Sequence, residues 1–294
     1  MQSNKSKQKN KKLLSVLLPV LVLLLVGLTV WMWWGNTVLE VNRYTVASQK
    51  IPTEFDGFRI AQVSDLHSAE MGENNEKLLG ALREAQPDVI ALTGDLITYY
   101  NPKQQIALEF IKNAVQIAPC YYVTGNHEAR MSDYAAFEEC LTALGVVALD
   151  NQRVEIEANG AVISLLGLKD PKFYDNETAF TEEEIVNEQL STLVENSVEN
   201  QYTILLSHRP EMFEIYAENK MDLVLSGHVH GGQFRLPFLG GVYAPNQGVF
   251  PKYDAGLYSE GNTAMIVSRG IGQSIFPFRI NNPPELVLIE LQSL

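Results

Sequence analysis

Five short apolar runs constrain the fold of this 294-residue chain more than any other feature. They are FRIAQVS (58–64), DVIALT (88–93), CYYVT (120–124), YTILL (202–206) and LVL (223–225). Each is too short for a globular helix, so each reads as a strand buried on both faces. Helical spacing fills the gaps between them. Leu78, Leu79, Leu82 and Ala85 recur on one face after the first run, and Ile106, Phe110, Ala114 and Ile117 after the second, where Pro119 ends the pattern. Thr181 and Glu184 form a capping-box pair opening a helix through about Val198, and Pro210 begins a short helix before the fifth run. Such alternation specifies an α/β fold whose sequential strands are joined by crossovers. Two shorter strands within 146–167 flank Asn159-Gly160 as a hairpin, and strands over 264–268 and 285–291 close the domain. Between Gln233 and the first of these lies a Gly/Pro/aromatic stretch, FRLPFLGGVYAPNQGVFPKYDAGLY, read as a loop that could wall a substrate site.

Polar residues gather where the five runs end. The exits carry Asp65-Leu66-His67, Gly94-Asp95, Gly125-Asn126-His127-Glu128, Ser207-His208 and the octapeptide SGHVHGGQ, which holds His228 and His230. In an open α/β sheet the carboxyl ends of the strands form the ligand crevice. Each cluster alone has an ordinary structural reading, such as a turn at Asp65, a helix cap at Asn126 or a hydrogen-bonded histidine at His208. All five histidines of the chain nevertheless fall at these exits and none on a helix, which argues for one shared site. His228 and His230, two residues apart, reach one face together if strand geometry persists that far. Carboxylate, imidazole and amide oxygen are donors for borderline to hard divalent ions, and no exit carries a cysteine. Two carboxylates, several imidazoles and one Asn exceed the needs of one tetrahedral zinc and suit two metals. Cys120 and Cys140, the only cysteines, have no metal-type spacing and read as a permitted disulfide or as free thiols.

The N-terminus sets the compartment. Lys5, Lys7, Lys9, Lys11 and Lys12 precede LLSVLLPVLVLLLVGLTVWMWW, an uncharged stretch over 13–34. Crossing a bilayer as a helix takes about 20 such residues. Trp31, Trp33 and Trp34, the chain's three tryptophans, sit at its far end as interfacial anchors, and no small-residue cleavage site follows. The reading is a basic cytoplasmic tail (1–12), a single uncleaved transmembrane anchor (13–34), a stalk or first strand (35–54) and an extracytoplasmic catalytic domain (55–294) at the cell membrane. Net charge is −13 overall, and without the five leading lysines 17 basic residues face 35 acidic, a net −18. A body so acidic has no footprint for duplex nucleic acid.

The ordered set D-x-H, GD, GNHE, SH and GHxH resembles that of the calcineurin-like metallophosphoesterases. The stretches FDGFRIAQVSDLH, LSGHVHGGQFRLPFLGGVYAPNQGVFPKY and VSRGIGQSIFPFRINNPPELVLIEL resemble the bacterial membrane-anchored or exported branch. The resemblance implies a four-layer α-β-β-α fold, two mixed sheets packed face to face between helices. It also implies that Asp65, His67 and His230 hold one divalent metal, that Asn126, His208 and His228 hold a second, and that Asp95 bridges both. Mn, Fe, Zn or Co all suit such donors. His127 is then left to contact the phosphate and assist the leaving group. A metal-bridging hydroxide would cleave a phosphoester or pyrophosphate bond without a covalent enzyme intermediate, on a substrate that is soluble or lipid-linked. One position departs from the pattern. Where the family often places a second Asp that orients the catalytic histidine, this chain has Thr98, whose hydroxyl hydrogen-bonds an imidazole without stabilising its charged form, and Glu128 is a possible substitute. That departure supports a competing reading, a catalytically silent metal-binding scaffold, and an extracellular nuclease or nucleotide phosphodiesterase is a further alternative.

Overall fold

The computed structural model describes residues 2–175, 178–195, 198, 200–273 and 276–294. Helix α1 spans Gln2–Thr37, and its part Leu17–Thr37 is long and apolar enough to cross a membrane. The first half of the body then alternates: β1 (Glu40–Ser48), β2 (Arg59–Val63), α2 (Glu76–Ala85), β3 (Val89–Thr93), α3 (Gln104–Ala114), β4 (Cys120–Val123), α4 (Tyr134–Ala143) and β5 (Val147–Ala148). The second half opens with the hairpin β6 (Gln152–Ala158) and β7 (Ala161–Gly167), turned by Asn159 and Gly160 with φ of 52° and 88°. Positive φ at both central residues fits the twist of a tight hairpin, which is why Asn-Gly stands there. Then come α5 (Glu182–Val194), β8 (Thr203–Leu206), α6 (Phe213–Glu218) and β9 (Leu223–Ser226). The stretch expected to be a loop folds into two small hairpins, β10 (Arg235–Leu236) with β11 (Gly240–Gly241) and β12 (Tyr243–Ala244) with β13 (Gly248–Val249), followed by strand β14 (Gly256–Glu260). Strands β15 (Thr263–Val267) and β16 (Glu285–Ser293) finish the chain.

Two six-stranded mixed sheets result, in the orders β1-β16-β2-β3-β4-β5 and β14-β15-β9-β8-β7-β6. The segment that read as stalk or strand is the edge strand β1, paired in parallel with β16 from Glu40↔Glu285 to Ser48↔Ser293. Period-2 alternation assigns each strand's residues to two faces. Val89 and Ala91 of β3 and Leu223 and Leu225 of β9 point into the core between the sheets, whereas Ile90, Leu92 and Val224 point outward. The outward face of the first sheet packs against α2, α3 and α4, and that of the second against α5 and α6. This is the four-layer α-β-β-α arrangement that the resemblance implied. Within α3 the buried face is Ala107, Phe110, Ile111 and Ala114, so Ile106 is only half-buried, and Ile117 lies beyond the helix end. Thr181 and Glu184 close the capping box reciprocally, and α5 runs to Val194; of the expected extension to Val198, residues 196 and 197 lie outside the described set. Cys120 is buried and Cys140 exposed, both as free thiols.

Candidate active site

The exits of β2, β3, β4, β8 and β9 converge at one end of the two sheets. Asp65 N donates to Gly94 O, His67 N to Asp95 O and Ser68 N to Leu96 O, so the first two exit loops are laced together. Gly94 permits the approach. Its φ is 90°, and a Cβ there would stand 2.6 Å from His208 Nδ1 and 2.8 Å from Gly125 N. Asp65, His67, Asp95, His228 and His230 all have φ between 47° and 72°, a left-handed backbone that costs energy for residues bearing a Cβ. The expectation that His228 and His230 share a face through continued strand geometry is therefore corrected. Strand β9 ends at Ser226, and left-handed turns rather than a pleat aim the two rings.

Those turns aim them at different places. Asp65, His67 and His230 form one cluster: His230 Nε2 is 3.4 Å and His67 Nε2 3.8 Å from Asp65 Oδ1, and the two Nε2 atoms are 2.9 Å apart. Asp95, His208 and His228 form another, with His208 Nε2 3.2 Å from Asp95 Oδ2. Asp95 Oδ2 also lies 3.6 Å from His67 Nε2, so this one carboxylate faces both groups. Asn126 is buried beside them, and its Oδ1 and His208 Nε2 have no hydrogen-bond partner among the described residues. A buried acceptor left without a partner is costly, and Asn126 Oδ1 is a lone-pair donor that a cation would satisfy. His208 Nδ1 is 2.7 Å from the Thr93 carbonyl, an acceptor only, so the ring donates there and its Nε2, facing Asp95 Oδ2, is the atom left to a metal once its proton is displaced. The donor set fits divalent metal.

The electrostatics agree. Burial pushes His67 down to about 3 and holds His228 and His230 well below the ordinary imidazole value, so these rings are neutral and ready to ligate. Burial opposes charge on His208 as well, but Asp95 and Asp65 beside it raise its pKa to about 10. Burial also pushes Asp65 up to about 6, while for Asp95 the surrounding histidines outweigh burial and hold it well below the carboxylate range. A pocket that attracts a proton this way attracts a cation.

Around the clusters stand residues of the exit motifs and others, Arg279, Arg209 and Asp170, that spacing did not single out. Glu128 is wholly buried and accepts the amides of Asp95, Gly125 and Ile97, so it ties the β3 and β4 exits together and does not orient His127. Thr98 does not reach His127 either; its hydroxyl is 3.2 Å from His67 Nδ1 and 3.2 Å from the His67 carbonyl. His127 Nδ1 instead accepts the Tyr99 backbone amide at 3.3 Å, which leaves the proton of the neutral ring on Nε2, 4.0 Å from Asp95 Oδ2. Arg279, buried, donates to His230 Nδ1 and to the carbonyls of Arg269, Gly270 and Gly272. Arg209 is clamped by both oxygens of Asp170, at 2.6 and 2.8 Å, and its Nη1 lies between Glu211 Oε1, at 3.4 Å, and His228 Nε2, at 3.5 Å. A cleft of about 180 Å³ opens over Asp95, Asn126, His127, His228 and His230. Its rim carries Arg130, Lys172, Arg209 and Glu182 with Tyr99 and Tyr100, and Pro245 and Asn246 come from the stretch expected to wall the site. Arg209 is paired with Asp170, Glu182 and Glu211 and Lys172 with Asp175, so Arg130 is the rim cation with no carboxylate partner among the described residues.

Residues 58–232 match the calcineurin-like phosphoesterase family. The chain belongs to that family. It is 32% identical to the uncharacterized metallophosphoesterase YkuE of Bacillus subtilis, over 87% of this chain and 86% of that one. It is 27% identical to the phosphodiesterase YaeI of Escherichia coli, over 80% and 82%, and 28% identical to a bovine transmembrane protein with metallophosphoesterase domain, over 86% of this chain and 57% of that protein. Among solved structures, TT1561 of Thermus thermophilus superposes with a TM-score of 0.51 at 16% identity, over 73% of this chain and 90% of that one, a likeness of fold.

Proposed function

We propose that the chain is a membrane-anchored phosphohydrolase working with two divalent metals. Asp65, His67 and His230 would hold one, Asn126, His208 and His228 the other, and Asp95 both. The observation that carries this reading is Asp95 Oδ2 standing within 3.6 Å of a ligand nitrogen from each cluster, beside the unpartnered Asn126 Oδ1 and His208 Nε2. When bound, such a metal pair supplies Lewis acidity toward the phosphoryl group and a nucleophilic oxygen at neutral pH. The chain's own groups do the rest. Arg209, fixed by Asp170, and Arg130 orient the anionic substrate in the cleft. His127, held by the Tyr99 amide, presents an Nε2 proton toward the leaving oxygen, and its neutral state follows from burial. Manganese, iron, zinc and cobalt are all compatible with these donors.

Helix α1 would keep the N-terminus in the cytoplasm and the body outside. Substrates are phosphomonoesters, phosphodiesters or pyrophosphates, with lipid-linked ones within reach of an anchored enzyme. The test is the full chain in detergent micelles, supplied in turn with each metal and with aryl phosphomonoester, aryl phosphodiester and lipid pyrophosphate. At least one pairing is expected to turn over, and Asp95→Ala and His228→Ala to abolish it. Undiminished hydrolysis by either variant would falsify the assignment.

A further inference from the structure

The hairpin of β10 and β11 carries an anomaly. Its tip is Pro237-Phe238-Leu239, with Phe238 fully exposed at φ 67° and Leu239 65% exposed, flanked by the exposed Leu236. The base is stiff. Arg235 pairs with Asp254 Oδ2 at 3.0 Å and donates to Gly231 O, and Gly241 N donates to Asp254. An aromatic residue held rigidly in water in a strained backbone marks a contact surface.

Its position indicates the partner. The segment 276–280 runs between this hairpin and the end of α1. On one side Phe234 bridges Ile280 and stacks near Phe276 and Phe278, with ring centroids 5.3 and 5.7 Å away. On the other, Asn36 grips the backbone of Arg279 through both its amide atoms, at 2.9 and 2.7 Å, one turn beyond the exposed Trp33. Exposed Phe276, the hairpin tip and the tryptophans therefore share one edge of the body. Charge marks the same edge: of 35 acidic residues, none falls within 234–241 or 276–284, the segments that line it, and Asp254 at the hairpin base is paired with Arg235. Acidic side chains are the groups an anionic lipid surface repels.

We propose that this edge is a second membrane contact, with Leu236, Phe238, Leu239 and Phe276 entering the headgroup layer of the bilayer that α1 crosses. The proposal rests on the reading of α1 as an anchor, and the test separates the two. Single cysteines are placed in the full chain carrying Cys140→Ala, Cys120 being buried: Leu239→Cys at the tip, Leu24→Cys in α1, and Asn159→Cys at the opposite end of the sheets. Each is labelled with an environment-sensitive fluorophore and reconstituted into nanodiscs with or without nitroxide-bearing lipids. Labels at 239 and 24 are expected to shift to the blue and lose more than half their intensity to the nitroxide, with the label at 159 unchanged. Quenching at 24 without quenching at 239 overturns the second contact and leaves the anchor standing. Quenching at neither overturns both. A blue shift at 239 that lipid nitroxide does not quench assigns the tip to a second copy of the chain and also overturns the proposal.

Discussion

Asp95 illustrates how much one residue's surroundings decide. Its amide is held by Glu128, its Oδ1 accepts the His127 amide, and its Oδ2 is left for the site. Removing Glu128 would orphan three buried amides at once, so Glu128→Ala is expected to cost on the order of 3 kcal/mol or more, read by denaturant unfolding. Thr98→Val removes a partner of His67 and is expected to weaken metal affinity by roughly 10- to 100-fold, measured by competition with a chelating dye. The proton on His208 gives a pH signature. Its folded pKa of about 10 lies above the ordinary 6.5, so in metal-free protein its contribution to stability is full below about 6.5 and fades as pH rises through 10. Glu128, raised to about 8 by burial and Asp95, acts in the same direction across the lower part of that window. A metal must displace the His208 proton, so metal affinity is expected to rise by about tenfold per pH unit between 7 and 10, with proton release visible by calorimetry in buffers of different ionisation heat. At this scale the sequence showed the histidines and carboxylates because their rarity and position made them conspicuous. Arg209, Arg279 and Asp170 were not legible, because a buried ion pair formed across distant segments has no spacing of its own. The role of Thr98 was misplaced because three residues of chain separation do not reveal which of two neighbouring imidazoles a hydroxyl meets.

At the scale of elements, the strand runs and amphipathic helices were readable from period-2 and period-3.6 patterns, since burial on both faces leaves little choice of residue. What escaped were β10 to β14, which are two to five residues long and specified by glycines and by contacts with Asp254, and the pairing of β1 with β16, which only the whole chain determines. The inter-sheet core is where elements depend on each other. Leu225→Ala, in wholly buried surroundings, is expected to cost about 2–5 kcal/mol in chemical denaturation. Gly94→Ala is a sharper probe of the crossing of loops. A methyl group there meets His208 Nδ1 and the Gly125 backbone, so metal occupancy measured by elemental analysis is expected to fall, with the protein less stable as well.

At the scale of the molecule, the five exits form one face because the sheets are packed with their carboxyl ends aligned, and helix α1 leaves the body on the side of the segment that holds His230 through Arg279. In right-side-out vesicles, protease added outside is expected to remove the body and spare the α1 segment, and in inverted vesicles the body is expected to be protected. A body digested only in inverted vesicles would reverse the orientation.

The pairing of β1 with β16 bears on how the chain is made. Strand β1 follows helix α1 directly, yet its partner β16 comes from the far end of the body in sequence. Long-range pairings of this kind form late. The first strand would therefore wait with its edge open until β16 is made, and the pairing of the two would seal that side of the sheet. Closure of the first sheet would thus act as a check that the body has been made through β16.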